Sequence, residues 1–142
     1  MSGETTEKTP SASPAALARR DRFMTLLGAE LVEAGAGFAV VRAVVGSDHI
    51  NFNGTCHGGF TFALADMAFG IASNSHGVLA AGIDAHVSYL AAAYEGDALT
   101  ANAREVSRTR RVGTYAIDVA RADGRPVARF TGTVVVSDKK TM

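Results

Sequence analysis

Between Asn51 and Asn74 the chain reads NFNGTCHGGFTFALADMAFGIASN, a polar, glycine-rich turn that passes into a run apolar on nearly every side. Phe60, Leu64, Met67 and Ile71 recur at helical spacing, and Phe62, Ala63, Ala65, Ala68 and Phe69 fill the other faces. A helix apolar all round has to be wrapped by the rest of its fold. The run is shorter than the roughly 20 apolar residues of a membrane span, so the wrapping is protein. One carboxylate, Asp66, interrupts it. Withdrawing a carboxylate from water is costly unless it is paired or neutralised, and its pKa rises toward the range useful to a base. The pattern therefore predicts a buried Asp66, either a reactive group or a structural acid capping a neighbouring turn.

The turn ahead of the helix bears on that choice. His57, Gly58 and Gly59 stand where the helix starts, so free N–H groups and the positive end of the helix dipole face whatever lies beyond. Such a terminus suits an oxygen on which negative charge develops, and glycines allow close approach to the backbone. Gly58 and Asp66 are about 12 Å apart along one helix at 1.5 Å per residue. A reacting carbonyl needs donor and base within roughly 3 Å of the atoms concerned. One helix cannot supply both, whereas a twofold dimer with antiparallel copies of the helix can. A catalytic reading of this stretch therefore predicts a homodimer with two shared sites.

The pattern N-x-x-G-x-x-H-G-G followed by L-A-D, carried by Asn51, Gly54, His57, Gly58, Gly59, Leu64, Ala65 and Asp66, resembles the hotdog-fold acyl-CoA thioesterases, in particular the PaaI-like group of phenylacetic acid degradation. The later segments His86 to Leu90 (HVSYL) and Glu95 to Ala101 (EGDALTA) resemble the strand after the helix and the following turn in the same family, and the likeness spans about residues 20 to 137. The resemblance implies an α+β hotdog fold, an antiparallel sheet wrapped around a long central helix. It implies hydrolysis of an acyl-CoA thioester to free acid and coenzyme A, with no metal or redox cofactor. In that scheme the carbonyl lies against the Gly58 N–H with His57 assisting, Asp66 of the facing subunit acts as base or nucleophile, and Asn51 helps place the water. The assembly implied is a homodimer that pairs into a homotetramer. One departure stands out: where some relatives carry a Ser or Thr that assists the carboxylate, this chain has Gly82, leaving Ser73, Ser75 or Ser88 as substitutes.

The rest of the chain is consistent with one soluble domain. Its 142 residues are 47% hydrophobic with zero formal net charge, enough for a core and without the basic footprint of a nucleic-acid or membrane-surface protein. Residues 1–14 (MSGETTEKTPSASP) read as a disordered tail with no signal-peptide pattern, which leaves the cytoplasm as the default address; residues 15–142 read as a single hotdog thioesterase domain. Ala15 to Leu27 predicts a short amphipathic helix with Arg19, Arg20 and Arg22 on its wet side. Leu31 to Val45, broken at Gly35 to Gly37, predicts a hairpin, and Gly77 to Ala80 a loop. Strand patterns follow at about Ala81–Leu90, Ala98–Ser107, Val112–Arg121 and Pro126–Ser137, joined closely enough for antiparallel pairing. Periodicity alone supports α+β.

Other polar and aromatic residues carry two readings each. Asn51 could simply bond its own turn, and His57 could mark a helix start without touching substrate. His49, His57, His76 and His86 lack zinc-ligand spacing, and Cys56, the lone cysteine, reads as a small packing residue. Arg108, Arg110 and Arg111 match coenzyme A phosphates or a solvated hairpin end. Gly59, Phe60, Phe62, Phe69 and Tyr89 are candidates to line an acyl pocket, the aromatics equally core residues. Two rivals to hydrolysis remain, a non-catalytic acyl-CoA-binding hotdog protein and a hotdog hydratase or dehydratase.

Overall fold

Alternation with period two runs through the second half of the chain and is what makes the sheet. The structure, a computed structural model, describes residues 11–142. Its strands are β1 (Glu30–Gly35), β2 (Phe38–Val44), β3 (Val78–Tyr89), β4 (Ala98–Arg108), β5 (Val112–Arg121) and β6 (Pro126–Lys140). They form one antiparallel sheet in the order β1-β2-β4-β5-β6-β3. Every second residue faces inward: Ala39, Val41 and Ala43 on β2, Leu99, Ala101 and Ala103 on β4, Tyr115, Ile117 and Val119 on β5, all at most 2% exposed. The hairpin and strand expectations hold, with β3 beginning at Val78 inside the segment read as a loop, because the backbone after Gly77 pairs at once with β6.

The sheet curls around α3 (Gly58–Ser73), which lies closest to the alanine-lined strands β2 and β4. Eleven of its residues, from Phe60 to Ser73, are buried, as the all-round apolar pattern requires. The exceptions are ordered. From Gly59 on they recur every three or four positions, Gly59, Phe62, Asp66 and Gly70, and with Gly58 share one stripe that the chain's own sheet covers only in part. No helix among the described residues is long and apolar enough to cross a membrane.

The single helix expected over Ala15–Leu27 is two, α1 (Pro14–Arg20) and α2 (Arg22–Leu27). Asp21 divides them: its backbone is extended, and its Oδ1 accepts from the Phe23 and Met24 amides to start α2. Gly28 ends α2 in the left-handed region at φ 70°. Of the stretch read as a tail, residues 1–10 lie outside the described residues. Ala12 is tied to the C-terminal end, its N–H donating to the Thr141 carbonyl at 3.2 Å, and Ser13 caps α1.

Candidate active site

The turn before α3 completes the helix's N-terminus from within. His57 is the N-cap, its Nδ1 accepting from the Gly59 N–H at 2.8 Å while its carbonyl accepts from Phe60 and Thr61 at 3.0 and 3.4 Å. The Gly58 N–H alone has no partner among the described residues. Because Nδ1 accepts, a neutral His57 carries its proton on Nε2, which gives a second donor next to the open amide. Asn51 braces the same turn: its Oδ1 accepts from the Asn53 and Thr55 amides at 2.8 and 3.1 Å, and its Nδ2 donates to Thr55 Oγ1 at 3.1 Å. One Nδ2 hydrogen remains available. Tyr89 reaches over from β3 and donates its hydroxyl to the Gly58 carbonyl.

Asp66 follows two turns later on the same helix. The expectation of a buried carboxylate is corrected, because in the single chain Asp66 is exposed on that stripe. All-round apolar sequence specifies a covered helix but not whether the cover comes from its own chain. Solvent reaches Asp66 from one side. On the other it opens into a cleft of about 350 Å³ walled by Leu17, Phe23, Met67, Ile71 and Leu79 and shared with Asp21. Burial against those walls, and then the nearby Asp21 charge, raise its pKa above the ordinary carboxylate value. It has no hydrogen-bond or ion-pair partner among the described residues.

A second cleft, of about 240 Å³, lies by the helix start and is lined by Phe23, Leu27, His49, Ile50, His57 and Gly59. Phe60, buried, stacks on His49 with ring centres 4.0 Å apart. Phe62 is half-buried, 5.2 Å from the Phe130 ring, and Phe69 packs between Phe130 and Tyr115. Cys56 is buried, and burial pushes its thiol pKa up. The arginines divide. Arg108 Nη1 donates to the Ser73 carbonyl at 3.0 Å and to Tyr115 Oη at 2.9 Å, holding the C-terminal end of α3. The Arg110 and Arg111 side chains are exposed and without partners among the described residues.

Gly82 lies on β3 opposite Val134, and a Cβ there would meet the Phe69 ring at 3.0 Å. Of the proposed substitutes, Ser73 Oγ donates to the Gly70 carbonyl and Ser75 Oγ to the Ala72 carbonyl, while Ser88 is exposed on β3. Asp21 and Phe23 were missed as site residues. The helix-start signal was present, an Asp just ahead of an apolar pair, but the uniform apolar spacing of Leu17, Phe23, Leu26 and Leu27 concealed it.

The chain belongs to the Thioesterase superfamily, whose sequence profile matches residues 53–128, from the turn before α3 into β6. Its fold is the hotdog fold of that superfamily. Within it the chain is similar to the acyl-coenzyme A thioesterase PaaI of Escherichia coli K12, 34% identical over 117 residues that cover 82% of this chain and 84% of that protein. The solved structure of E. coli PaaI matches with a TM-score of 0.87 at 31% identity, covering 89% of this chain and 92% of that one. A putative esterase of Archaeoglobus fulgidus is 42% identical over 116 residues, 82% of this chain and 75% of that protein. A hypothetical thioesterase of Streptococcus pneumoniae, solved with coenzyme A, matches with a TM-score of 0.76 at 27% identity over 80% of this chain and 88% of that one.

Proposed function

We propose that this chain hydrolyses acyl-CoA thioesters in the cytoplasm, its domain of residues 15–142 working as a homodimer with two shared sites. The observation that carries the reading is the pairing, on one helix, of an amide at Gly58 and a carboxylate at Asp66 that both lack a partner among the described residues, the carboxylate with a raised pKa. The two lie about 12 Å apart along the axis, too far for one carbonyl. Antiparallel pairing of two copies brings Gly58 of each to Asp66 of the other and puts Phe62, midway between them on the same stripe, at the twofold axis. The strand β3, among the described residues paired only with β6 and exposed along most of its length, is one of the sheet's two edges and the one such a dimer would close.

In the reaction the thioester oxygen receives the Gly58 N–H, with the His57 Nε2–H assisting, and Asn51 positions the water. Asp66 acts by one of two routes. As general base it takes the proton of the attacking water; the C–O bond forms, the C–S bond breaks, and the proton ends on the coenzyme A sulfur. As nucleophile it attacks the carbonyl and displaces the coenzyme A thiolate, breaking the C–S bond; water then opens the resulting anhydride, freeing the acid and Asp66, and a water proton ends on the thiolate. Coenzyme A in the streptococcal relative and the PaaI likeness support an acyl-CoA substrate, either an arylacetyl group such as phenylacetyl or hydroxyphenylacetyl, as in phenylacetate degradation, or a medium chain. Exposed Arg110 and Arg111 suit the coenzyme phosphates better than the engaged Arg108, and pairs of dimers into a tetramer complete the reading.

One observation favours a second reading, a non-catalytic acyl-CoA binder. The streptococcal protein has been solved with an aspartate, and separately a threonine sixteen positions later, replaced by alanine; that spacing from Asp66 falls on Gly82, which has no hydroxyl. Thiol release from phenylacetyl-, hydroxyphenylacetyl- and straight-chain acyl-CoA esters, wild type beside Asp66→Ala, decides between them. Hydrolysis that falls about a hundredfold or more in a folded dimeric Asp66→Ala supports the thioesterase. Binding with no thiol release by either protein establishes the binder.

A further inference from the structure

Phe23 is the one residue common to the linings of the Asp66 cleft and the His57 cleft. It sits at the second position of α2 and is 51% exposed, so the chain's core does not need its ring. The helix beneath it is fixed: Met24, 2% exposed, anchors it in the core, Asp21 caps one end and Gly28 ends the other. A large aromatic side chain on an anchored helix thus stands between two clefts, one beside the carboxylate and the other beside His57 and Gly59 at the start of α3.

We propose that Phe23 sets acyl-group selectivity by bounding the Asp66 cleft on the side of the His57 cleft, an inference that rests on the acyl-CoA reading above. Most of the remaining cleft wall, Leu17, Ala63, Met67, Ile71 and Leu79, is apolar and suits a hydrocarbon or aryl group, with Asn74 the one polar side chain besides the two carboxylates. Asp21 and Asp66 give the same cleft two carboxylates, so acyl groups that themselves end in a carboxylate are rejected by like charge. Phe23 therefore favours a short, neutral acyl group such as phenylacetyl. In a dimer it also separates the acyl pocket of one shared site from the His57 cleft of the other. Without the ring the two clefts run together along α3, and a longer chain fits.

The test compares Phe23→Ala, Phe23→Trp and Leu26→Ala in the full chain against phenylacetyl-, hexanoyl-, dodecanoyl- and succinyl-CoA. Leu26 lies on the same helix, 75% exposed, and lines neither cleft. The first readout is kcat/KM from thiol release. The second is Kd for the same esters, measured by calorimetry on Asp66→Ala with and without Phe23→Ala. The dodecanoyl-to-phenylacetyl ratio is expected to rise about tenfold or more in Phe23→Ala, to fall in Phe23→Trp, and to stay within about twofold in Leu26→Ala, with succinyl-CoA poorest throughout. The proposal is overturned if Phe23→Ala shifts every ester by one factor, or if Leu26→Ala moves the ratio as far. If wild type binds the esters but releases no thiol, hydrolysis is the reading that falls, and the Kd ratios still decide Phe23. If no ester binds, both fall.

Discussion

The Tyr89 hydroxyl donates to the Gly58 carbonyl oxygen at 3.0 Å, and a Cβ on Gly58 would stand 3.1 Å from the same ring. The tyrosine thus holds the Gly58–Gly59 peptide, next along the chain from the open amide, and a side chain at position 58 would press on its ring. Tyr89→Phe is expected to lower kcat about three- to tenfold while costing no more than about 1 kcal/mol of stability, since one exposed hydrogen bond is lost. Steady-state kinetics beside a urea melt measure the two effects. A stability loss with unchanged kcat refutes a positioning role.

The shared cleft of Asp21 and Asp66 has a pH signature. Burial and then the Asp21 charge raise the Asp66 pKa, so with Asp66 as the proposed base the acid limb of kcat/KM is expected above the ordinary aspartate value. Asp21→Asn keeps a competent helix cap but removes the charge, and the limb moves to lower pH. Because the folded pKa is raised, the folded state binds the Asp66 proton more tightly than the unfolded state. Stability is therefore lost as pH climbs from the unfolded toward the folded value. Asp66→Asn should raise Tm at pH 8 more than at pH 4, which thermal melts at the two pH values check.

Phe69 occupies the space that side chains at Gly82 and Gly132 would claim, with ring atoms 3.0 Å and 2.6 Å from the two absent Cβ positions. The ring is 3% exposed and has little room to yield. Gly132→Ala and Gly82→Thr should each destabilise by about 1–3 kcal/mol through overpacking. Adding Phe69→Leu to Gly82→Thr should recover part of that loss, as a double-mutant cycle in urea would show.

Arg108 and its neighbours separate by readout. Tyr115 donates to Glu105 at 2.7 Å and accepts from Arg108, and burial together with Glu105 pushes its pKa up to about 12. Arg108→Ala leaves the Ser73 carbonyl and the Tyr115 hydroxyl short of a charged donor and should cost about 1–3 kcal/mol. Arg110→Ala with Arg111→Ala should leave Tm unchanged and raise KM for acyl-CoA by about three- to tenfold, less so in high salt. Melting curves and KM at two ionic strengths distinguish these roles.

The features readable in advance were the local ones. The run from Phe60 to Ile71 announced the central helix, alternation announced the strands, and the His-Gly-Gly turn announced an amide left open, because each signal lies within a few residues. What escaped joins distant parts of the chain. Tyr89 meets Gly58 across thirty-one positions, and Phe69 fits two glycines on different strands. Asp66 was placed in the interior because periodicity counts apolar faces without saying which chain covers them. Asp21 escaped because a cap that ends one helix and starts another leaves the apolar spacing on both sides almost unbroken.

Among the described residues, the twelve of β3 present a backbone edge about 40 Å long that no strand pairs on its outer side. An edge of that length left open invites indiscriminate strand addition, so a partner that closes it protects the chain as well as completing it. If, as proposed, the reaction needs Gly58 of one copy and Asp66 of the other, competence becomes a property of concentration and not of the individual molecule. Dilution then acts as an inhibitor with no binding site, and a newly made chain stays inert until it meets its twin.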